Sequence, residues 1–351
     1  MRCFKFFGLI ISCFALFNAC KTKDAETSYF KTIYNAHSEV FIPSDQLMDP
    51  RFMGILDSYF IVGNYKADPL IEIYDKSSKE KIKSFLRVGR GPLEASFLGY
   101  MQMDPAQNGF YISDLFKRTL LRYDLKEVLA DPFSHPELIY SRGNESLLFT
   151  KIGVLNDGYL VAESQDPKGK FLLMDKTGKQ LQYFRSFPAK ELVDDNLNDI
   201  QNAGLYTAAM TVNPSKDKAA LASYNAGLID LVQLKNGRLD SIWSYQAFYP
   251  SHLYIAPMGE DIMIAYTQES RNGFLGIHST DEYVYCLFSG KTKNKDYKYG
   301  TEVYVVSWDG KETYKIVLDQ KVNRLIADKD NRTMYGITPD MDILRFTFDK
   351  N

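Results

Sequence analysis

Disulfide chemistry is almost excluded by composition. The 351-residue chain has four cysteines, and three of them, Cys3, Cys13 and Cys20, fall within its first twenty residues. Only Cys286 remains in the body, so no internal disulfide is available and the fold must rest on its apolar core. Its setting, YVYCLF, is strand-like and has no His or acidic residue close in sequence. It reads as a buried structural thiol rather than a nucleophile. Histidine is equally scarce. His37, His135, His252 and His278 stand singly, in no HxH or HExxH spacing, so no zinc site is signalled. GxSxG and GxxxxGKS/T are absent, which removes the nucleophile elbow and the P-loop. No cofactor and no metal are therefore expected. Charge of one sign is also lacking. Lys plus Arg is 42 against 44 for Asp plus Glu, a net charge of −2, so a nucleic-acid partner is not expected. Finally, no apolar run reaches the roughly 20 residues that span a bilayer as a helix.

The longest apolar run, Phe6 to Phe17, is twelve residues and follows Arg2 and Lys5. A short basic region ahead of a short apolar core describes a secretory signal peptide, expected over residues 1–19. The run ends Leu16-Phe17-Asn18-Ala19-Cys20, which resembles a bacterial lipobox, with Phe17 departing from the usual small aliphatic residue. Cys20 is the expected lipid attachment, and residues 20–28 are the expected linker, polar and solvated. Lipid at Cys20 would anchor the chain to a membrane. The expected address is the outer membrane, on its periplasmic or its outer side.

What the chain has in abundance is aromatic residues. The 24 Tyr and 23 Phe suit pleated, half-buried strands. A motif recurs six times: a turn, an apolar strand, a gap and a second strand. Its anchors fall at Tyr59, Phe110, Tyr159, Ala220, Val284 and Met334. A period near 50 residues is that of stacked β units, which bury both faces only against neighbours. YFIVG and YVYCLF have two apolar faces and belong between such neighbours. DKTGK, LKNGR and WDGKE supply positive-φ hairpin turns and are expected to join the second and third strands of a unit. Residues 189–208 read as a polar helical insertion, and residues 251–268 as an extra strand pair. The last repeat lacks a strand, and SEVFIP at 38–43 fits the slot, which would remove two exposed edges. The fold expected is all-β: a six-bladed β-propeller, with seven blades the alternative, formed by residues 29–351 as a single domain and closed by an N-terminal strand.

Residues 86–94, LRVGRGPLE, follow a strand and precede the next repeat. They resemble the Gly-Arg-Gly-Pro-x-Glu signature of the TolB-like six-bladed propeller lipoproteins of Bacteroidetes, and NGFYISD with LLRYD is similar to an NHL-type blade. The resemblance implies a propeller on the cell envelope and no settled activity. Within it, Arg87, Arg90 and Glu94 are candidates to bind an anionic or sugar ligand, because arginine offers a planar fork to carboxylate or phosphate. The alternative is that Arg90 braces adjacent blades by bonding loop carbonyls. His278 is a candidate to face the channel. Asp328, Asp330 and Asn331 resemble a fragment of a calcium loop, but the remaining ligand positions are missing, so a blade turn is expected. Phe248-Tyr249 and Tyr297 to Tyr299 either stack on sugars or cover strand ends at the rim.

Three functions remain open. The first is a non-enzymatic envelope lipoprotein, expected monomeric, whose propeller face binds a glycan, a peptide or an envelope protein. The second is a glycan hydrolase or lyase, whose paired carboxylates leave no trace in sequence spacing. The third is a scaffold within an envelope complex.

Overall fold

The computed structural model describes residues 29–91, 94–131, 133–141, 149–258, 261–293 and 296–350. The expected signal peptide, Cys20, the expected linker and Pro92 of the glycine-rich motif lie outside them.

Strands dominate because the repeats alternate apolar residues on both faces. In blade 1 the strands are Pro50–Leu56, Tyr59–Asn64, Ile71–Asp75 and Lys81–Phe85, and each pairs antiparallel with the next. Blades 2, 3 and 4 repeat this order from inner strands Leu98–Asp104, Phe149–Val154 and Ala208–Val212. Blade 5 runs from Phe274–Ser279 to the outer strand Thr313–Val322. Blade 6 contributes Arg324–Ala327, Thr333–Ile337 and Ile343–Thr347. Its fourth strand comes from the other end of the chain. In Thr32–Ile42, residues 37–42 pair antiparallel with Ile343–Thr347, while residues 32–36 pair parallel with the outer strand of blade 5. The ring thus has six blades and closes through its N-terminal strand.

Each blade interface has its own apolar cluster. In the second strand of blade 1, Phe60 and Val62 point to blade 6 and Ile61 points to blade 2. In blade 5, Tyr285 and Leu287 face blade 6, and Val284 and Cys286 face blade 4. Period-two alternation therefore feeds two cores at once. Burying each such side chain contributes about 1.5–3 kcal/mol. Cys286 is completely buried, and burial pushes its thiol well above the ordinary range.

One expectation is corrected. DKTGK, LKNGR and WDGKE join the third and fourth strands of blades 3, 4 and 5, not the second and third. The repeat anchors mark second strands, and the inner strand ahead of each lacks the two-faced apolar signature because one side faces the channel. Gly178, Gly237 and Gly310 hold φ of 87°, 71° and 71° in those turns, which suits glycine.

The two insertions meet. Helix Asp199–Leu205 opens with a capping box between Asn198 and Gln201. The hairpin of Leu253–Met258 and Asp261–Tyr266 follows blade 4. Leu205 and Tyr206 pack with Leu253 and Tyr266 into a seventh cluster.

Candidate functional site

The six inner strands surround a cavity of ≈490 Å³ along the ring axis. Inner strands have one edge without a partner strand, and side chains of neighbouring blades satisfy it. The Gln102 amide bonds both the carbonyl and the N–H of Val154, at 2.9 and 2.8 Å. Thr211 Oγ1 and Ser279 Oγ lie 3.0 Å apart across blades 4 and 5. His278 Nδ1 accepts from the Ala327 N–H at 3.1 Å across blades 5 and 6.

That last bond determines the state of His278, the sequence candidate that lines the cavity. Nδ1 is an acceptor, so the neutral ring carries its proton on Nε2. Burial depresses its pKa from 6.5 to about 4. Between those values the unfolded chain binds a proton that the folded chain does not. This contribution to stability is complete above pH 6.5 and is lost as pH falls towards 4, by about 2 kcal/mol between pH 7 and 5. Urea denaturation across that range checks it. His278→Asn retains an acceptor and should flatten this part of the profile; an unchanged slope in the variant would refute the assignment.

The cavity is polar in a directional sense. Where the inner strands end, it is acidic, and two of its carboxylates staple blades together. Asp281 accepts from Ser215 N and Oγ at 2.9 and 2.6 Å, and Asp328 holds Lys76 Nζ at 2.6 Å. In the DKDNR segment, Asp330 accepts from the N–H groups of Arg332 and Thr333, and Asn331 from Thr280 Oγ1. These residues form a blade turn.

Where the inner strands begin, the cavity is basic and aromatic. Arg51, Lys151 and Arg324 stand there with Phe52, Tyr100 and Tyr224. Arg51 Nε is 2.7 Å from Asp49 Oδ1. Lys151 Nζ is 3.8 Å from Glu163 Oε2 and lies over the Tyr224 ring at 5.3 Å. Arg324 differs. Its Nη1 donates to the Asn323 carbonyl at 2.8 Å, and it has no carboxylate at ion-pair distance among the described residues. Its side chain is exposed at the mouth of the cavity. Desolvation chiefly lowers its pKa, nearby Arg51 lowers it further, and Tyr224 and Tyr65 oppose the shift. The mouth thus holds two paired cations and one unneutralised guanidinium, whose fork suits an incoming anion.

The other sequence candidates stand off this cavity. Arg87 and Arg90 are exposed on the crossing from blade 1 to blade 2. Glu94 accepts from the Gly91 N–H at 2.7 Å and so closes its own loop. Lys117, rather than Arg90, bonds the loop carbonyls, those of Gly91 (2.6 Å) and Glu94. At the rim, Arg271 rests on Phe248 at 4.3 Å and Lys293 on Tyr266 at 4.3 Å and Tyr297 at 5.4 Å. Sequence reading missed Arg51, Lys151 and Arg324. Their shared signal is position: each lies within the first three residues of an inner strand.

A family profile described as TolB-like 6-blade propeller-like matches residues 28–330. The chain belongs to that family. Among solved structures, this TolB-like propeller is similar to a DUF4221-family protein from Bacteroides vulgatus, at TM-score 0.57 and 12% identity, over 90% of this chain and 97% of that one. It also matches Kuenenia stuttgartiensis hydrazine synthase, at TM-score 0.45 and 9% identity, over 87% and 96% of the two chains. At 12% identity, the likeness to the DUF4221-family protein speaks to fold alone. No curated protein matches this TolB-like propeller in sequence. Among its described residues, no helix is long and apolar enough to cross a membrane.

Proposed function

We propose that this chain is a non-enzymatic binding module of the cell envelope, held at the outer membrane by lipid on Cys20, and that it takes an anionic ligand at the basic mouth of its channel. The observation that carries the binding is Arg324, a cation inside a channel with no carboxylate partner among the described residues and with tyrosines around it. Arg324 is exposed at the mouth, so its guanidinium is open to a carboxylate or phosphate that can take both prongs of its fork. The basic region, apolar run and Cys20 of the N-terminus support export and attachment.

The test is a thermal-shift panel of inorganic phosphate and small carboxylates on residues 21–351. A ligand at a hundredfold its dissociation constant stabilises by about 2.7 kcal/mol. Arg324→Gln is expected to weaken that ligand at least tenfold while the unliganded melting temperature stays close to wild type. Equal stabilisation of both proteins would refute the role of Arg324. Turnover of the ligand in the same mixture would favour a hydrolase or lyase.

A further inference from the structure

We propose that the face of blades 1 and 2 beside the basic mouth docks an extended acidic peptide of a partner protein, laid over a track of aromatic rings. This rests on the reading of that mouth as an anion site. The track begins inside the cavity at Phe52. Ring centroids then step 5.9 Å to Tyr65, 5.2 Å to Phe97 and 5.5 Å to Phe116. Exposure rises outwards, to 39% at Phe97 and 74% at Phe116, with Val88 at 50% alongside. Val88 belongs to the same surface, because its strand pairs with Glu94–Ala95 just ahead of Phe97. A contiguous apolar strip that leads into a polar cavity marks an interaction site.

Charge selects the partner. Tyr65, at the inner end, lies within the electrostatic reach of Arg324 and Arg51 and, more weakly, of Asp49 and Asp114, and Asp49 is already paired with Arg51. Arg87 and Arg90 are exposed near the outer end. The carboxylates along the track already hold backbone. Asp114 accepts from Ser96, Phe116 and Lys117 N–H groups, Asp68 from Val88 N–H and Glu94 from Gly91 N–H. Apolar rings between cations call for apolar side chains between acids. Geometry selects peptide over sugar. Successive rings are tilted by 48°, 66° and 57°, so they form no flat platform and leave notches between edges and faces. An extended peptide repeats a side chain on one face every ~6.6 Å, close to the ring spacing. The track is also pre-set, since the Tyr65 hydroxyl donates to the Leu98 carbonyl, which reduces the ordering cost of binding.

Fluorescence anisotropy tests this with a short fluorescein-labelled peptide alternating glutamate and phenylalanine. Binding is expected, and Phe116→Ala and Arg324→Gln should each weaken it about tenfold. Phe116 is mostly exposed, so its removal should leave the melting temperature unchanged. Equal affinity for wild type and Phe116→Ala, or equal affinity for a peptide with lysine in place of glutamate, overturns the proposal. So does binding of oligogalacturonate that depends on Phe116, which would make the track a glycan surface. If inorganic phosphate stabilises wild type and no acidic peptide binds, the peptide is wrong and the anion site stands. If neither binds, both readings fall.

Discussion

Removal of residues 29–43 is expected to abolish cooperative folding of the ring. The strand Thr32–Ile42 fills the outer slot of blade 6 and runs on beside blade 5. Without it, Ile343–Thr347 and Thr313–Val322 present bare edges, which invite pairing with other chains. The apolar loss is as serious. Phe41 sits 4.9 Å from Phe60 and 4.8 Å from Tyr335, Phe30 sits 4.6 Å from Tyr304, and Ile42 is completely buried. Those three side chains contribute about 5–9 kcal/mol, against a net stability of about 5–15 kcal/mol for a typical domain. Circular dichroism melts and size-exclusion chromatography check this. The truncated chain should melt broadly and aggregate, and Phe41→Ala alone should cost about 3–5 kcal/mol. A sharp melt within a few degrees of the intact protein would mean that the ring closes without its N-terminal strand.

The second large effect is expected at Asp230. This carboxylate is buried between blades 3 and 4 and serves two cations. Lys170 Nζ contacts it, and Arg185 donates from Nε and Nη2 at 3.0 and 2.8 Å. Lys170 is itself buried. Asp230→Ala would leave two positive charges at an apolar interface with no counter-ion. Breaking a buried pair from one side costs about 3–5 kcal/mol. The exposed pair Glu39–Arg345, at 2.7 Å with side chains 55% and 40% exposed, is the control. Glu39→Ala should cost well under about 1 kcal/mol, because water already solvates both groups. Urea denaturation separates the two variants, and a small effect at Asp230 would show that the cations relax into solvent.

The blade framework was legible because it obeys a local rule. YFIVGN and YVYCLF have apolar residues on both faces, and no arrangement but stacked sheets buries both. Ring closure was legible from arithmetic, since the last repeat is one strand short and SEVFIP was unassigned. The capped helix and the hairpin were legible as breaks in the period. The inner strands were not. PRFMGIL and AAMTV mix small, apolar and polar residues because one side lines the channel instead of packing on a neighbouring sheet, so they carry no clean alternation. The turn assignment moved by one strand for the same reason.

The site divides along the same line. His278 was singled out by its place before a strand, and its neutral state follows from a bond to Ala327 on another blade. Arg87, Arg90 and Glu94 were conspicuous as a motif, yet their loop turns away from the cavity and Glu94 closes onto Gly91. Arg51, Lys151 and Arg324 are far apart in sequence and none belongs to a motif. By itself, the sequence determined the strand faces, the number of repeats and the missing strand, since burial and hydrogen bonding of nearby residues dictate these. Only the tertiary structure decided which charges meet on the axis and which of them remains unneutralised, because closing a ring brings together residues that no local rule relates.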